Sequence, residues 1–268
     1  MIAAVVQMTS GGDPQVNLDT ASHWIERAVG AGAELVALPE NFPLMREEFE
    51  TGPNPIAQDL DGPVCRLLRA LARRHGVVIA GGTFPERIAG DERVYNTSLL
   101  IDSDGEICGV YRKIHLFDVE LPDASLCESR TVAAGSEVVV ADSSLGPVGM
   151  SVCYDMRFPE LYRRLAQRGA RVLLVPSAFT VPTGRDHWEV LLRARAIENQ
   201  AFVIAAAQYG EHNSTRRSYG RSLIIDPWGT VLATVADGEG MALAELDFRR
   251  LEDVRARLPA LKHRRLDV

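Results

Sequence analysis

The sequence predicts an α/β fold in which helices cover the faces of sheets. Short apolar runs at 2–6, 34–38 and 77–80 have the length and composition of buried strands. Apolar residues at helical spacing lie between these runs. Asp13 and Pro14 mark the start of the first helix, because Asp is a favoured N-cap and Pro a favoured first helical residue. Strands alternating with helices in this way predict sheets covered by helices.

The later part of the chain continues the same pattern and adds hairpins. Turn residues at 103–105 and 226–229 join apolar runs, which is typical of β-hairpins. Helices are predicted at 63–75, 158–167 and 188–200, and further strands at 95–102, 106–112, 138–141, 148–152, 172–175, 202–207, 222–225, 231–234 and 242–246. Because the chain contains no linker, we expect a single domain over 1–247. A C-terminal extension over 248–268 is expected to pack on that domain or on a dimer partner.

Composition excludes several classes of function. The net charge of −7 argues against a general nucleic-acid surface. The longest uninterrupted apolar run is seven residues, Ala201 to Ala207, whereas a membrane span needs about 20. The four cysteines form no CxxC pair, which argues against a disulfide framework or a zinc ribbon. The first residues lack the basic start of a secretory signal. We therefore expect a cytoplasmic protein that binds no metal, nucleic acid or membrane.

The position of Cys153 makes it a candidate nucleophile. An apolar strand leads into this residue and a helix follows it, and chemistry in open α/β sheets gathers beyond the carboxyl ends of strands. Backbone N–H groups at such a turn favour a thiolate and can hold an oxyanion. The alternative is a small packed side chain, because free cysteine is among the most buried residue types.

Two charged residues could assist this thiol. Glu40 follows a buried strand and could act as a base, and Lys113 ends a hairpin strand and could stabilise a tetrahedral intermediate. Taken singly, each is better explained as an ordinary surface charge. A Cys–His dyad with His115 or His187 is a rival arrangement.

The ordered segments LPENFPL, YRKIHLFD and GMSVCYDMRFPEL resemble the three signatures of the nitrilase, or carbon–nitrogen hydrolase, superfamily. The resemblance extends over about residues 2–265. It implies a four-layer αββα sandwich whose subunits pair into homodimers or larger assemblies. It also implies a catalytic triad of Glu40, Lys113 and Cys153, with Glu128 as a second glutamate, and no cofactor.

Further segments, among them HWEVLLRARAIENQ and SYGRS, resemble the Nit branch of this superfamily. The resemblance implies an amidase for a small carboxylated amide, of the deaminated glutathione type or, alternatively, an omega-amidase. Arg157 and Thr183 would bind the substrate carboxylate, with Tyr154 and Phe179 lining the pocket. Pro182 departs from the pattern of the branch. A catalytically silent binding protein on the same fold is the alternative from another class.

Overall fold

The computed structural model describes residues 1–47, 52–121 and 124–266. In these ranges the α-helices are α1 (Pro14–Gly30), α2 (Pro63–His75), α3 (Pro159–Gln167), α4 (Val181–Asn199) and α5 (Phe248–Arg257). Single 3₁₀ turns cover Glu128–Arg130, Cys153–Arg157 and Ala260–Lys262.

The strands form two large sheets and two small antiparallel pairs. They are β1 (Ile2–Gln7), β2 (Leu35–Ala37), β3 (Val78–Ala80), β4 (Phe84–Arg87), β5 (Val94–Ile101), β6 (Ile107–Arg112), β7 (Asp118–Leu121), β8 (Ala124–Cys127), β9 (Val132–Ala133), β10 (Val140–Ser143), β11 (Gly146–Met150), β12 (Val172–Leu174), β13 (Phe202–Ala205), β14 (Tyr209–Glu211), β15 (Arg217–Tyr219), β16 (Leu223–Ile225), β17 (Val231–Thr234) and β18 (Gly240–Glu245). The first sheet has the order β18-β1-β2-β3-β5-β4, with β6 and β9 also paired to β5. The second sheet has the order β10-β11-β12-β13-β16-β17.

Alternation along β1 shows how the layers stack. Ala3 and Val5 belong to the apolar cluster that contains the second sheet, whereas Ala4 and Val6 belong to the cluster that contains α1 and α2. Successive side chains of a strand point to opposite faces, so the first sheet lies between these helices and the second sheet. Apolar residues of α3 and α4 pack in the cluster of the second sheet. The predicted αββα sandwich is confirmed.

Each sheet contains three parallel neighbours, β1-β2-β3 in the first and β11-β12-β13 in the second. The chain segments that leave β2, β11 and β12 carry Glu40, Cys153 and Ala178, respectively. The carboxyl ends of these strands therefore supply groups from both sheets to one region, as expected for sites in α/β folds.

Helix α4 differs from its sequence-based prediction at its start, and α5 is a helix that was not predicted. Helix α4 begins at Val181 rather than at residue 188, because Pro182 lies in the first turn, where proline is tolerated. The segment after Asp247 forms α5, whose start is capped by the Asp247 carboxylate accepting from the Arg249 N–H. Leu251 and Val254 of this helix are buried, and Arg255 donates to backbone carbonyls of the domain.

No helix among the described residues is long and apolar enough to cross a membrane. Within the same ranges, no group of three or more His, Cys, Asp or Glu side chains has the arrangement of a metal site.

Candidate active site

Glu40 lies just beyond β2 and is only 3% exposed. Its Oε1 accepts hydrogen bonds from Lys113 Nζ at 3.0 Å and from Asn96 Nδ2 at 2.9 Å. Its Oε2 accepts from the backbone N–H of Ala178 at 2.8 Å. The carboxylate is thus held at both oxygens, although it is removed from water.

Lys113 follows β6 and is 2% exposed. Its ammonium group contacts Glu40 Oε1 at 3.0 Å and Glu128 Oε2 at 2.8 Å. Burial by itself would lower the pKa of Lys113, but the carboxylates of Glu128 and Glu40 outweigh it and hold the pKa well above its ordinary value. The lysine is therefore a fixed positive charge inside the protein.

Cys153 begins the 3₁₀ turn after β11 with a positive φ of 48°. Its N–H donates to the Pro176 carbonyl, and the residue is 8% exposed. Burial and then the neighbouring Glu40 carboxylate raise the pKa of the thiol well above its usual range, and Lys113 opposes them only in part. Burial thus opposes the effect of the backbone N–H groups of the turn, which favour a thiolate.

Glu128 joins the same cluster from the 3₁₀ turn after β8. Its Oε2 accepts from Lys113 Nζ and from the Phe117 N–H at 2.7 Å. Asn96 of β5 donates its one amide nitrogen to both Glu40 and Glu128. Asn96 was not anticipated from the sequence. Strands β5 and β6 form the hairpin that ends near Lys113. This hairpin places Lys113 beside Asn96, whose backbone carbonyl accepts a hydrogen bond from the Lys113 N–H at 2.9 Å.

A second buried network holds the turn that carries Cys153. Asp155 is fully buried, and its carboxylate accepts from Tyr111 Oη at 2.7 Å and from the Val152 N–H at 2.8 Å. The same carboxylate lies 2.6 Å from His115 Nδ1. His115 also stacks on Phe158, with ring centroids 3.6 Å apart. These contacts connect the chain after β6, where Lys113 lies, to the cysteine turn.

Both rival histidines have partners other than the thiol. His115 bonds to Asp155, and His187 is exposed and lies 3.4 Å from the guanidinium of Arg157. Because β6 ends at Arg112, His115 and Lys113 lie beyond the strand, and they have separate partners: Asp155 for His115 and the two glutamates for Lys113.

Three of the four residues predicted to bind substrate, Tyr154, Arg157 and Phe179, contact one another at the cysteine turn. The Arg157 guanidinium lies 5.8 Å from the ring centroid of Tyr154 and 5.2 Å from that of Phe179. No carboxylate among the described residues forms an ion pair with it. Thr183 lies in the first turn of α4, with its hydroxyl 2.7 Å from that of Thr180. An unpaired cation between aromatic rings suits an anionic ligand.

A model of the carbon–nitrogen hydrolase family matches residues 2–256. The chain belongs to the carbon–nitrogen hydrolase family. Membership confirms the predicted enzyme class, a hydrolase acting on carbon–nitrogen bonds. The chain is 46% identical over 267 residues to a protein of Synechocystis sp. named deaminated glutathione amidase, covering 98% of this chain and 97% of that protein. It is 44% identical to the human protein of the same name, covering 100% of this chain and 83% of that one.

Solved structures agree with this placement. Nit3 of Saccharomyces cerevisiae, described as a member of branch 10 of the nitrilase superfamily, superposes with a TM-score of 0.87 at 34% identity, covering 99% of this chain and 97% of that one. The Caenorhabditis elegans NitFhit protein gives 0.87 at 41% identity, and the match covers 98% of this chain but 65% of that protein. A glutamate-to-glutamine mutant of the Nesterenkonia sp. AN1 amidase, whose active-site cysteine carries acrylamide by Michael addition, gives 0.75 at 28% identity, covering 97% and 98%.

Proposed function

We propose that the protein is a thiol-dependent amidase for a small carboxylated amide, with a 2-oxo acid of the deaminated glutathione type as the acyl part. The observation that carries this proposal is the buried cluster of Glu40, Lys113 and Glu128 around Cys153. It combines a nucleophile, a base and a fixed cation in one place, which are the groups that amide cleavage requires.

The first step is attack of the thiol on the amide carbonyl. Glu40 takes the proton from Cys153 as the sulfur bonds to the carbonyl carbon, because burial disfavours a free thiolate before attack. A base held at both carboxylate oxygens is ready for this transfer without reorganising.

The oxyanion that forms needs donors already in place. Lys113 supplies its ammonium group, and the N–H of Tyr154 lies in the first turn of a 3₁₀ helix, where N–H groups have no partner within the helix. Charge develops on the oxygen in the buried cluster, where such donors are stronger than in water.

Collapse of the tetrahedral intermediate breaks the carbon–nitrogen bond. Glu40 returns its proton to the leaving amine, which leaves an acyl thioester on Cys153. Glu40 then removes a proton from water as the water attacks the thioester. When the carboxylic acid product leaves, Glu40 returns this proton to the sulfur of Cys153. Glu128 anchors Lys113 during both half-reactions through contacts of 3.1 and 2.8 Å.

Arg157 provides the carboxylate site. Its guanidinium has no ion pair among the described residues, and planar guanidinium groups bind carboxylates in a bidentate geometry. Thr183 adds a hydroxyl near the start of α4. The names of the Synechocystis and human relatives favour deaminated glutathione over other carboxylated amides.

Deaminated glutathione and 2-oxoglutaramate share the 2-oxoglutaryl group and differ in the amine that leaves. Rates of hydrolysis of both, and of a neutral amide such as butyramide, test the proposal. We expect the largest kcat/KM for deaminated glutathione and no turnover of any amide by Cys153→Ala. Faster cleavage of 2-oxoglutaramate would make the protein an omega-amidase. Equal rates for wild type and Cys153→Ala would contradict the thiol mechanism.

The family resemblance also leads us to propose a homodimer or larger assembly. Val190, Ile197 and Trp228 are apolar and about half exposed or more, at 67%, 48% and 56%. The Ile197 side chain lies beside Gly229, the neighbour of Trp228, so Ile197 and Trp228 belong to one surface region. Light scattering after size-exclusion chromatography tests this proposal, and a mass of 29.3 kDa for the particle would contradict it.

A further inference from the structure

We propose that Asn96 is a positioning residue, which holds the two carboxylates in place when Lys113 turns towards the oxyanion. This inference rests on the proposed amidase mechanism. It is based on one side-chain amide that donates hydrogen bonds to the carboxylates of both Glu40 and Glu128. Asn96 Nδ2 lies 2.9 Å from Glu40 Oε1 and 3.3 Å from Glu128 Oε1.

The orientation of this amide is fixed by its surroundings. Its nitrogen faces two carboxylate oxygens, and a swapped amide would place the carbonyl oxygen against both acids. Asn96 is 4% exposed, and its Oδ1 is buried without a hydrogen-bond partner. A buried carbonyl without a donor is unfavourable, so packing alone would favour an apolar residue here. The Asn96 side chain therefore acts through the two N–H groups of its amide, which donate to Glu40 and Glu128.

The mechanism explains why a second donor is needed. In the resting site, Lys113 Nζ contacts Glu40 Oε1 and both oxygens of Glu128, which occupies its three N–H groups. Donation to an oxyanion therefore withdraws at least one of these bonds from a carboxylate. Asn96 is neutral and lies on β5, where its carbonyl also pairs with the Lys113 N–H. It can keep both acids in place without competing for the developing negative charge.

The chain offers a matched control in Asn199. This residue is also fully buried, its Nδ2 donates to the Arg195 carbonyl and its Oδ1 lacks a partner, but it lies at the end of α4 away from the acid cluster. Asn96→Leu and Asn199→Leu therefore remove similar groups from the interior. Asn96→Ala removes the amide without adding a charge, and it decides the matter if the leucine variant does not fold.

The experiment measures kcat and KM for amide hydrolysis, and the rate of alkylation of Cys153 by iodoacetamide mapped by mass spectrometry. For both Asn96 variants we expect kcat and the alkylation rate to fall about 10–100-fold, the usual effect of losing an outer partner of a reactive group, with KM changed less than about threefold. Asn199→Leu is expected to retain both rates. Rates for the folded Asn96 variants equal to those of Asn199→Leu would overturn the inference. If wild type cleaves no amide but alkylation still depends on Asn96, the proposed function fails and the positioning role stands.

Discussion

The two cations of the site, Lys113 and Arg157, occupy opposite environments. Lys113 is 2% exposed and contacts two carboxylates, whereas Arg157 lies between aromatic rings and has no ion pair among the described residues. The charge of Lys113 is therefore part of the folded structure and is set before any substrate binds. In the function proposed above, the charge of Arg157 is available to the substrate carboxylate. The proposal therefore assigns the chemistry to Lys113 and the selection of the substrate to Arg157.

Replacement of the base should have the largest effect on rate. Glu40→Gln keeps the shape of the side chain but cannot accept the thiol proton, so we expect kcat/KM to fall about 10²–10⁴-fold for every amide. Steady-state kinetics on carboxylated and neutral amides measure this loss. Glu160→Gln, a change at an exposed acid, is the control and should leave the rate unchanged. If kcat/KM fell only for carboxylated amides, Glu40 would act in substrate recognition and not in catalysis.

Lys113→Met should damage both rate and stability. Two buried carboxylates lose their cation, which we expect to cost about 3–5 kcal/mol of unfolding free energy. Loss of an oxyanion donor should also lower kcat of the folded fraction about 10²–10³-fold. Urea unfolding and kinetics on the same samples measure the two effects. Lys262→Met, at an exposed lysine, is the control. If the Lys113 variant had the same free energy of unfolding as wild type, the Lys113 charge would not stabilise the fold, which would contradict this account.

Arg157→Gln should show the opposite behaviour. Because the guanidinium makes no ion pair within the described protein, urea unfolding should remain close to wild type. KM for carboxylated amides should rise about 10–100-fold, the value of a charged hydrogen-bonded contact, while neutral amides should be unaffected. Parallel kinetics on the two substrate classes make the measurement. An equal effect on neutral amides would place Arg157 in the chemistry and remove the contrast with Lys113.

His212 shows what burial does to a base without a carboxylate partner. Its ring nitrogens bond to the Ser10 carbonyl and the Ser218 hydroxyl, and burial lowers the pKa of His212 to about 4. The unfolded chain, with an ordinary histidine pKa of about 6.5, binds this proton first as pH falls. Stability is therefore complete above about pH 6.5 and falls between about pH 6.5 and 4, by up to about 3 kcal/mol from this residue.

Urea unfolding of His212→Asn against pH measures this contribution. The variant should have a flatter acid limb than wild type, and His263→Gln, at an exposed histidine, should not. Identical acid limbs for wild type and His212→Asn would contradict the assignment of a buried neutral imidazole.

Sequence patterns predicted the parts of the molecule that are encoded locally. Apolar runs and caps gave α1 and α2 nearly to the residue, since Asp13 and Gly76 mark a start and an end that need no tertiary contact. Glu40 and Cys153, which follow β2 and β11, were found because chemistry gathers at the carboxyl ends of strands in such sheets. Strand β18 pairs with β1 in the first sheet. This pairing could not be predicted, because pairing between strands distant in sequence leaves no local signal.

The site shows the same division. Glu40, Lys113 and Cys153 could be named singly, but their meeting depends on two sheets packing face to face. Asn96 lies outside the three quoted signatures, and Asp155 lies inside one of them but was assigned no role from the sequence. Their importance comes from contacts with residues distant in sequence, Asn96 with Glu40 and Asp155 with Tyr111.

The most direct test of the account is a rapid acid quench of wild-type enzyme during turnover of deaminated glutathione, followed by mass spectrometry of the cysteine peptides. We expect a 2-oxoglutaryl group attached to Cys153 and to no other cysteine. Absence of this adduct during rapid turnover, or its attachment to Cys65, Cys108 or Cys127, would contradict the account.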